Sequence, residues 1–413
     1  MVSENKIIVY RKVVLEIWRY NMNYLIQAYA CSPDRGGEFG VSWGWITHLY
    51  REVNDNDNIY IVSLTLKKQD LAEHNLERCH MIDIPNLGRY EFLHYNDLFH
   101  YIWLREAYKA IKKTGIHFDF IQGYSLSDYR KPGYWYRLKG VYTVFGPVGG
   151  AQNCPKSLQN YDSKTGKVRE LINNLTISNP FFQGKIRKFS RVYACNYETM
   201  DALSKSELLP DVPLREDFRN LDIDVSSQNT DIPTILFCGR FINKKGILLL
   251  LDVLKQLPET LKYRCLLYGD GEQKSQVKGR ITELKLSDKV FIKGFVQYSE
   301  MSKTYKRGQI FVLPSLRESG GNVLVEAAAH KLPIVALDMS LSHIFNEHHC
   351  GLFINTDQSK EEIIQDFAKC LERLILDPDL RIKLGENGYK FVNENMTWDH
   401  MMQVVYGDHN NAF

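Results

Sequence analysis

A chain of 413 residues is too long for one hydrophobic core; at roughly 100–200 residues per domain it holds two or three, and two is the working number. With 44% hydrophobic and 24% charged residues it is neither a disordered nor a fibrous chain. A net charge of +3 suits phosphates or an anionic membrane surface and is too small to point to nucleic acid.

The eight cysteines (Cys31, Cys79, Cys154, Cys195, Cys238, Cys265, Cys350 and Cys370) include no CxxC pair. That argues against a zinc site or disulfide framework and fits a reducing cytoplasm. No run of about 18 apolar residues occurs, and the N-terminus lacks an apolar core followed by a small-residue cleavage site. The expected location is therefore the cytoplasm, free or on the inner face of the cell membrane. Residues 1–21 precede the first strand; they are either an added amphipathic segment or the result of a start site set ahead of Met22.

From Met22 the chain reads as strand, glycine loop, helix: NYLIQAYA is apolar and aromatic, SPDRGGEFG is rich in turn formers, and VSWGWITHLYR has helical spacing. IYIVSL, FDFIQG and GVYTVFGPVGG follow as strands, with LFHYIWLREAYKAIKK as a helix. Around 221–230 the polar stretch LDIDVSSQNT loses periodicity and is the expected linker. Alternation then restarts. TILFCGR, RCLLYGDG, KVFIKGF, QIFVLPS and LPIVALD are short apolar runs between helical segments such as GILLLLDVLKQL and EEIIQDFAKCLERLIL. Two doubly wound α/β domains are expected, with a ligand in the cleft where strand carboxyl ends face each other.

The strongest chemical signal is ESGGNVLVE, Glu318 to Glu326, between QIFVLPS and the next helix. Glycines at a helix start leave N–H groups and the positive dipole end open to a phosphate. Glu318 stands ahead of the helix and Glu326 two turns inside it, so the carboxylates can reach different ends of one elongated ligand. In CGRFINKKG, Arg240 follows a strand end and Lys245 stands just before the next helix, where two cations can neutralise a diphosphate and the charge of a leaving group; Lys244 can take the place of Lys245. The loops DRGGEFG and GPVGGAQNCP permit close backbone approach, or are simply tight turns. Neither completes GxGxxG, and GDGE at Gly269 lacks the third glycine, which disfavours a dinucleotide-dependent dehydrogenase.

In this order, the GGEFG and GPVGG loops, the GR with its following KG, the GDG turn and the spaced glutamate pair resemble glycosyltransferase family 4, from about Met22 to the C-terminus. The resemblance implies a GT-B fold and retaining transfer of a sugar from a nucleotide diphosphate donor to an acceptor hydroxyl, in bacterial surface polysaccharide or glycolipid synthesis. It gives Glu326 the donor ribose, Glu318 the neighbourhood of the transferred sugar, and Arg240 and Lys245 the diphosphate, cradled by Gly321, Asn322 and Val323. Gly36, Gly37, Gly239 and Gly269 join the donor-binding set, and Gln122, Gly149 and Gly150 are candidates for the acceptor or sugar pocket. The leaving phosphate assists the incoming hydroxyl on the same face, so no general base on the protein is required. No metal or other cofactor is implied; the partners are a nucleotide sugar and a glycan or lipid-linked acceptor, with no nucleic acid.

Several departures bear on substrate. Gln122 stands where many relatives carry a sugar-contacting histidine, MSLSH replaces the glycine pair after LPIVALD, and PLREDF replaces the usual interdomain turn. The Asp-x-Asp pairs at 55/57, 222/224 and 377/379 fall in a turn, the linker and a helix boundary, as chance pairs do. FFQGKIRKFSRVY interleaves basic and aromatic residues, as either an anionic-lipid contact or an ordinary packed helix. The expected division is 1–21 extension, 22–220 acceptor-side domain, 221–230 linker, 231–395 donor domain, and 396–413 returning to the first domain. The alternatives are an epimerase or hydrolase of the same fold, or a catalytically degenerate module that binds nucleotide sugar or glycan.

Overall fold

A computed structural model describes residues 21–35, 37–85, 87–93, 97–124 and 128–407. The expectations for the N-terminal extension (but for Asn21) and for Gly36 lie outside the described residues.

Two all-parallel sheets organise the chain. β1 (Asn23–Ala28), β2 (Asn58–Ser63), β3 (Cys79–Met81), β4 (Phe120–Tyr124), β5 (Tyr142–Val148), β6 (Arg191–Ala194) and β7 (Glu207–Leu208) stand in the order β3-β2-β1-β4-β5-β6-β7. β8 (Thr234–Cys238), β9 (Arg264–Tyr268), β10 (Val290–Gly294), β11 (Ile310–Leu313), β12 (Ile334–Leu337) and β13 (Gly351–Ile354) form the second, in the order β10-β9-β8-β11-β12-β13. The central strands are continuous apolar runs because helices cover both faces; every residue of β8, β11 and β12 is buried. This is the expected pair of doubly wound domains. The strand order turns back between β1 and β4 in one sheet and between β8 and β11 in the other, and crevices for ligands open at such points.

The passage between domains departs from the sequence expectation. Val212, Leu214 and Phe218 are buried in the second domain's core, so the chain crosses over ahead of them. The polar 221–230 stretch is no free linker: Tyr389 Oη donates to the Leu221 carbonyl at 3.1 Å, and the fully buried Arg381 donates to the Gln228 carbonyl. Arg381 also donates to the Leu374 and Ile375 carbonyls at 2.6 and 3.0 Å, serving backbone groups at the end of the Lys360–Leu376 helix. Local polarity concealed a segment held by a side chain far along the sequence. The first domain also reaches across, placing Cys154 and Leu158 in the core of the second.

The chain crosses back after Met396, which lies in the second core. The Trp398–Met402 helix and the π-helical turn Gln403–Gly407 then pack on the first domain. Trp398 meets Trp45 edge-on at 5.4 Å, and Tyr406 lies 4.8 Å from Phe120 between ring centroids. Gly44, in the Glu38–Glu52 helix, lacks a side chain where Trp398 sits: an added Cβ would lie 2.0 Å from the indole.

Gly246 is fixed by backbone and by space. Its φ is +66°, and a Cβ would lie 1.9 Å from the Pro314 carbonyl oxygen. Gly246→Ala is expected to destabilise the second domain by about 1–3 kcal/mol or more, from strain plus displacement of the loop after β11. A fall in thermal midpoint with unchanged far-ultraviolet dichroism checks this; an unshifted midpoint refutes the close packing.

Candidate active site

The residues at the two reversal points face one another across a cavity of about 740 Å³. On the second domain, the loop leaving β8 runs through Gly239 and Arg240 into the short Asn243–Lys245 3-10 turn. The Gly239 N–H donates to the Tyr268 carbonyl at 3.0 Å. A Cβ on Gly269 would lie 1.8 Å from the Gly239 carbonyl oxygen, so the strand ends touch backbone to backbone. The Leu316 N–H donates to the Lys244 carbonyl at 2.9 Å, joining the β8 loop to the loop after β11.

Lys245 is ion-paired through Nζ to Glu318, whose carboxylate also accepts from Ser315 Oγ at 3.2 Å. The helix that follows, Asn322–Ala329, starts at Gly321 with φ +90° and no side-chain cap. The Leu324 N–H donates to the Gly321 carbonyl at 2.8 Å, while the Asn322 and Val323 N–H groups precede any acceptor within the helix, and Gly321, Asn322 and Val323 form part of the cavity wall. One turn on, Glu326 is almost wholly buried and accepts from Tyr305 Oη at 2.7 Å. Burial raises its pKa to about 7, although the Tyr305 hydrogen bond and the nearby Arg215 cation pull the other way.

The first domain supplies the opposite wall. Gly37, at φ +64°, opens the Glu38–Glu52 helix, again without a side-chain cap. Glu38 is exposed in the cleft; partial desolvation there, with Asp211 and Asp128 nearby, raises its pKa to about 7 against the opposing pull of Lys244 and Lys131. Desolvation likewise lowers the pKa of Lys244. Tyr124, the last residue of β4, also lines the cavity.

Arg240, Lys245, Glu318, Gly37, Gly239, Gly269, Gly321, Asn322, Val323 and Glu326 thus surround one space. Gln122, Gly149 and Gly150 are not among its lining. Gln122 is fully buried: its Nε2 donates to the Gly146 carbonyl at 3.0 Å and its Oε1 accepts from Tyr406 Oη. At this strand end Tyr124 borders the cavity but is itself fully buried in the first domain's core, and Gln122 lies behind it in packing contacts. Gly149 lies behind Ser319, with an added Cβ 3.1 Å from the Ser319 Cβ. Around it, Gln152 Nε2 donates to Ser319 Oγ at 2.6 Å and Asn196 Nδ2 to the Ser319 carbonyl at 3.1 Å. The Gly150 carbonyl accepts from Arg169 at 2.6 Å and Asn173 at 3.0 Å. The second glycine loop therefore props the Glu318 loop from behind.

Glu38, Tyr124, Asp211, Tyr268 and Phe295 line the cavity without having been singled out from sequence. Glu38 was within view, inside GGEFG; Asp211 and Phe295 carry no local signal. One aspartate of each Asp-x-Asp pair caps nearby backbone: Asp57 accepts from the Met22 N–H at 2.9 Å, Asp224 from the Ser226 N–H at 2.8 Å and Asp377 from the Leu380 N–H at 2.9 Å. FFQGKIRKFSRVY divides into the Pro180–Ile186 helix, a turn and β6.

Residues 218–391, nearly all of the second domain, match the model of the family described as "Glycosyl transferases group 1". The chain is similar to the lipopolysaccharide core biosynthesis glycosyltransferase LpsE of Rhizobium meliloti, 27% identical over 162 residues, 39% of this chain and 44% of that protein. It thus spans under half the length of this curated relative. Sucrose-phosphate synthase from Thermosynechococcus elongatus has a similar fold, with a TM-score of 0.65 at 17% identity over 95% of this chain and 100% of that one. So has Anabaena HepE, determined with UDP and glucose, with a TM-score of 0.57 at 16% identity over 95% and 100%. The two-domain architecture is the GT-B fold.

Proposed function

We propose that the protein is a retaining glycosyltransferase of family 4 that moves a sugar from a nucleotide diphosphate donor to an acceptor hydroxyl. The observation that carries the proposal is the convergence of Arg240, Lys245, Glu318, Glu326 and the uncapped Asn322–Ala329 helix start on one interdomain cavity. Glu326 accepts hydrogen bonds from the ribose hydroxyls. Arg240, Lys245 and the helix N–H groups hold the diphosphate and take up the charge that grows on it as the glycosidic bond breaks. Binding a diphosphate draws Lys245 partly away from Glu318 and leaves that carboxylate to accept from sugar hydroxyls. The departing phosphate oxygen receives the acceptor's proton on the same face, so configuration is retained, and no metal enters the step. Gly37 closes over the donor from the first domain, which also admits the acceptor.

The family match and the relatives named as glycosyltransferases support the transferase reading. The HepE complex makes UDP-glucose the first donor to try. A glycan or lipid-linked acceptor in bacterial surface polysaccharide or glycolipid synthesis fits the LpsE likeness, with the enzyme in the cytoplasm.

A thermal-shift panel of nucleotide diphosphates and their sugars tests the donor site. A true donor at 100 times its Kd is expected to add about 2.7 kcal/mol, and Glu326→Ala to cut that to between about 0.3 and 1.4 kcal/mol at the same concentration. A folded protein that responds to no member of the panel overturns the donor site. Free sugar released at the same rate with and without acceptors overturns transfer in favour of hydrolysis.

A further inference from the structure

The Lys164–Ile177 helix turns its apolar stripe outward. Val168, Leu171, Ile172 and Leu175 follow the i, i+3, i+4, i+7 spacing of a buried helix face, yet they are between 46% and 65% exposed. Phe181, at the start of the next helix, is 84% exposed. Together they form the densest run of exposed large hydrophobics among the described residues. The opposite face of the helix is engaged with protein. Asn173 and Arg169 hold the Gly150 carbonyl, Glu170 accepts from the Cys154 N–H at 2.7 Å, and the Gly166 carbonyl accepts from Arg317 of the second domain at 3.4 Å.

Charge indicates what covers the stripe. Lys164, Lys167, Lys185, Arg187 and Lys188 are exposed around it, and the one acidic residue in 164–188 is the inward-bonded Glu170. A second copy of the chain would set this cationic face against itself across a two-fold axis, which like charge opposes. A surface that is apolar within and anionic at its rim accepts both features.

We propose that the Lys164–Ile177 stripe with Phe181 is a docking surface for an anionic lipid bilayer. The apolar side chains enter the acyl boundary while the lysines and Arg187 meet the headgroups. The inward face of the same helix holds the Gly150 loop and the Arg317 segment, so docking sets the orientation of the cleft to the membrane. The inference is independent of the reaction and concerns a face outside the donor cavity.

The test is flotation of the full chain with vesicles of phosphatidylcholine alone and of phosphatidylcholine with phosphatidylglycerol. Binding is expected to the anionic vesicles and to weaken with salt. Lys167→Ser with Lys185→Ser should lower the partition coefficient about 25-fold, at about fivefold per basic residue. Leu171→Ser with Leu175→Ser should abolish flotation while leaving the melting temperature and the nucleotide-induced thermal shift unchanged. The proposal is overturned by absence of anionic-vesicle binding at low salt, or by equal binding of the leucine variant. It is overturned equally by a concentration-dependent dimer, lost in that variant, in a chain that ignores vesicles.

Discussion

Arg240→Ala and Lys245→Ala are each expected to slow sugar transfer by about 100- to 1000-fold, the scale of losing one positioned electrostatic contact to a developing oxyanion. Donor affinity should fall less, because the ribose contact at Glu326 and the helix N–H groups remain and act on substrate and transition state alike. The two variants should differ in the ground state. Arg240 is exposed, and its removal uncovers no buried charge. Lys245 is the partner of the largely buried Glu318, so Lys245→Ala leaves an unpaired carboxylate facing the diphosphate and should also weaken donor binding. Single-turnover rates at saturating donor, alongside donor titrations, read both effects. Rates within about threefold of wild type in both variants would remove these residues from the chemistry.

Glu326→Ala should act on binding. An ionised carboxylate accepting from a ribose diol contributes about 1.5–3 kcal/mol per hydrogen bond, so a rise in donor Kd of about 10- to 150-fold is expected, with a smaller change in the rate at saturation. Glu326 also carries a pH signature. Its pKa is raised to about 7 in the folded chain, above the ordinary glutamate value of about 4.3. Between those values the folded chain holds a proton that the unfolded chain releases, so stability falls as pH rises through the window, by an amount on the order of 3 kcal/mol. Glu326→Gln should flatten that slope. Glu38 is exposed, so solvent screens its carboxyl and its share of the slope should be small. Denaturation midpoints from pH 4.5 to 7.5 measure this, and an unchanged slope in Glu326→Gln would show that the carboxyl is not desolvated.

The sheets were readable from sequence wherever strands are central and buried on both faces. TILFC, IFVL and IVAL are unbroken apolar runs because helices cover them on either side. The strands β3, β6, β7 and β13 lie outward from the centre and carry polar or part-exposed positions, so no unbroken apolar run marks them. The second-domain site motif was legible because glycines mark both backbone contact and a helix start. What stayed hidden depended on long-range packing. Nothing near Gln228 announces Arg381, and nothing in FIQGY says that Gln122 is sealed beneath Tyr406.

The last described helix has a consequence for how the protein is made. Trp398, Met401, Met402, Val405 and Tyr406 are integral to the same core cluster as β1 and the Glu38–Glu52 helix. At about 5–20 residues per second, the ribosome needs roughly 10–40 s to travel from the end of β7 to Trp398. During that interval the second domain can complete itself, while the domain synthesised first waits with an open aromatic slot around Trp45, Tyr24 and Phe120. The order of birth and the order of completion are reversed. A ribosome stalled late in the message would therefore release a chain whose earlier half is the unfinished one, with apolar surface turned toward chaperones or toward its neighbours.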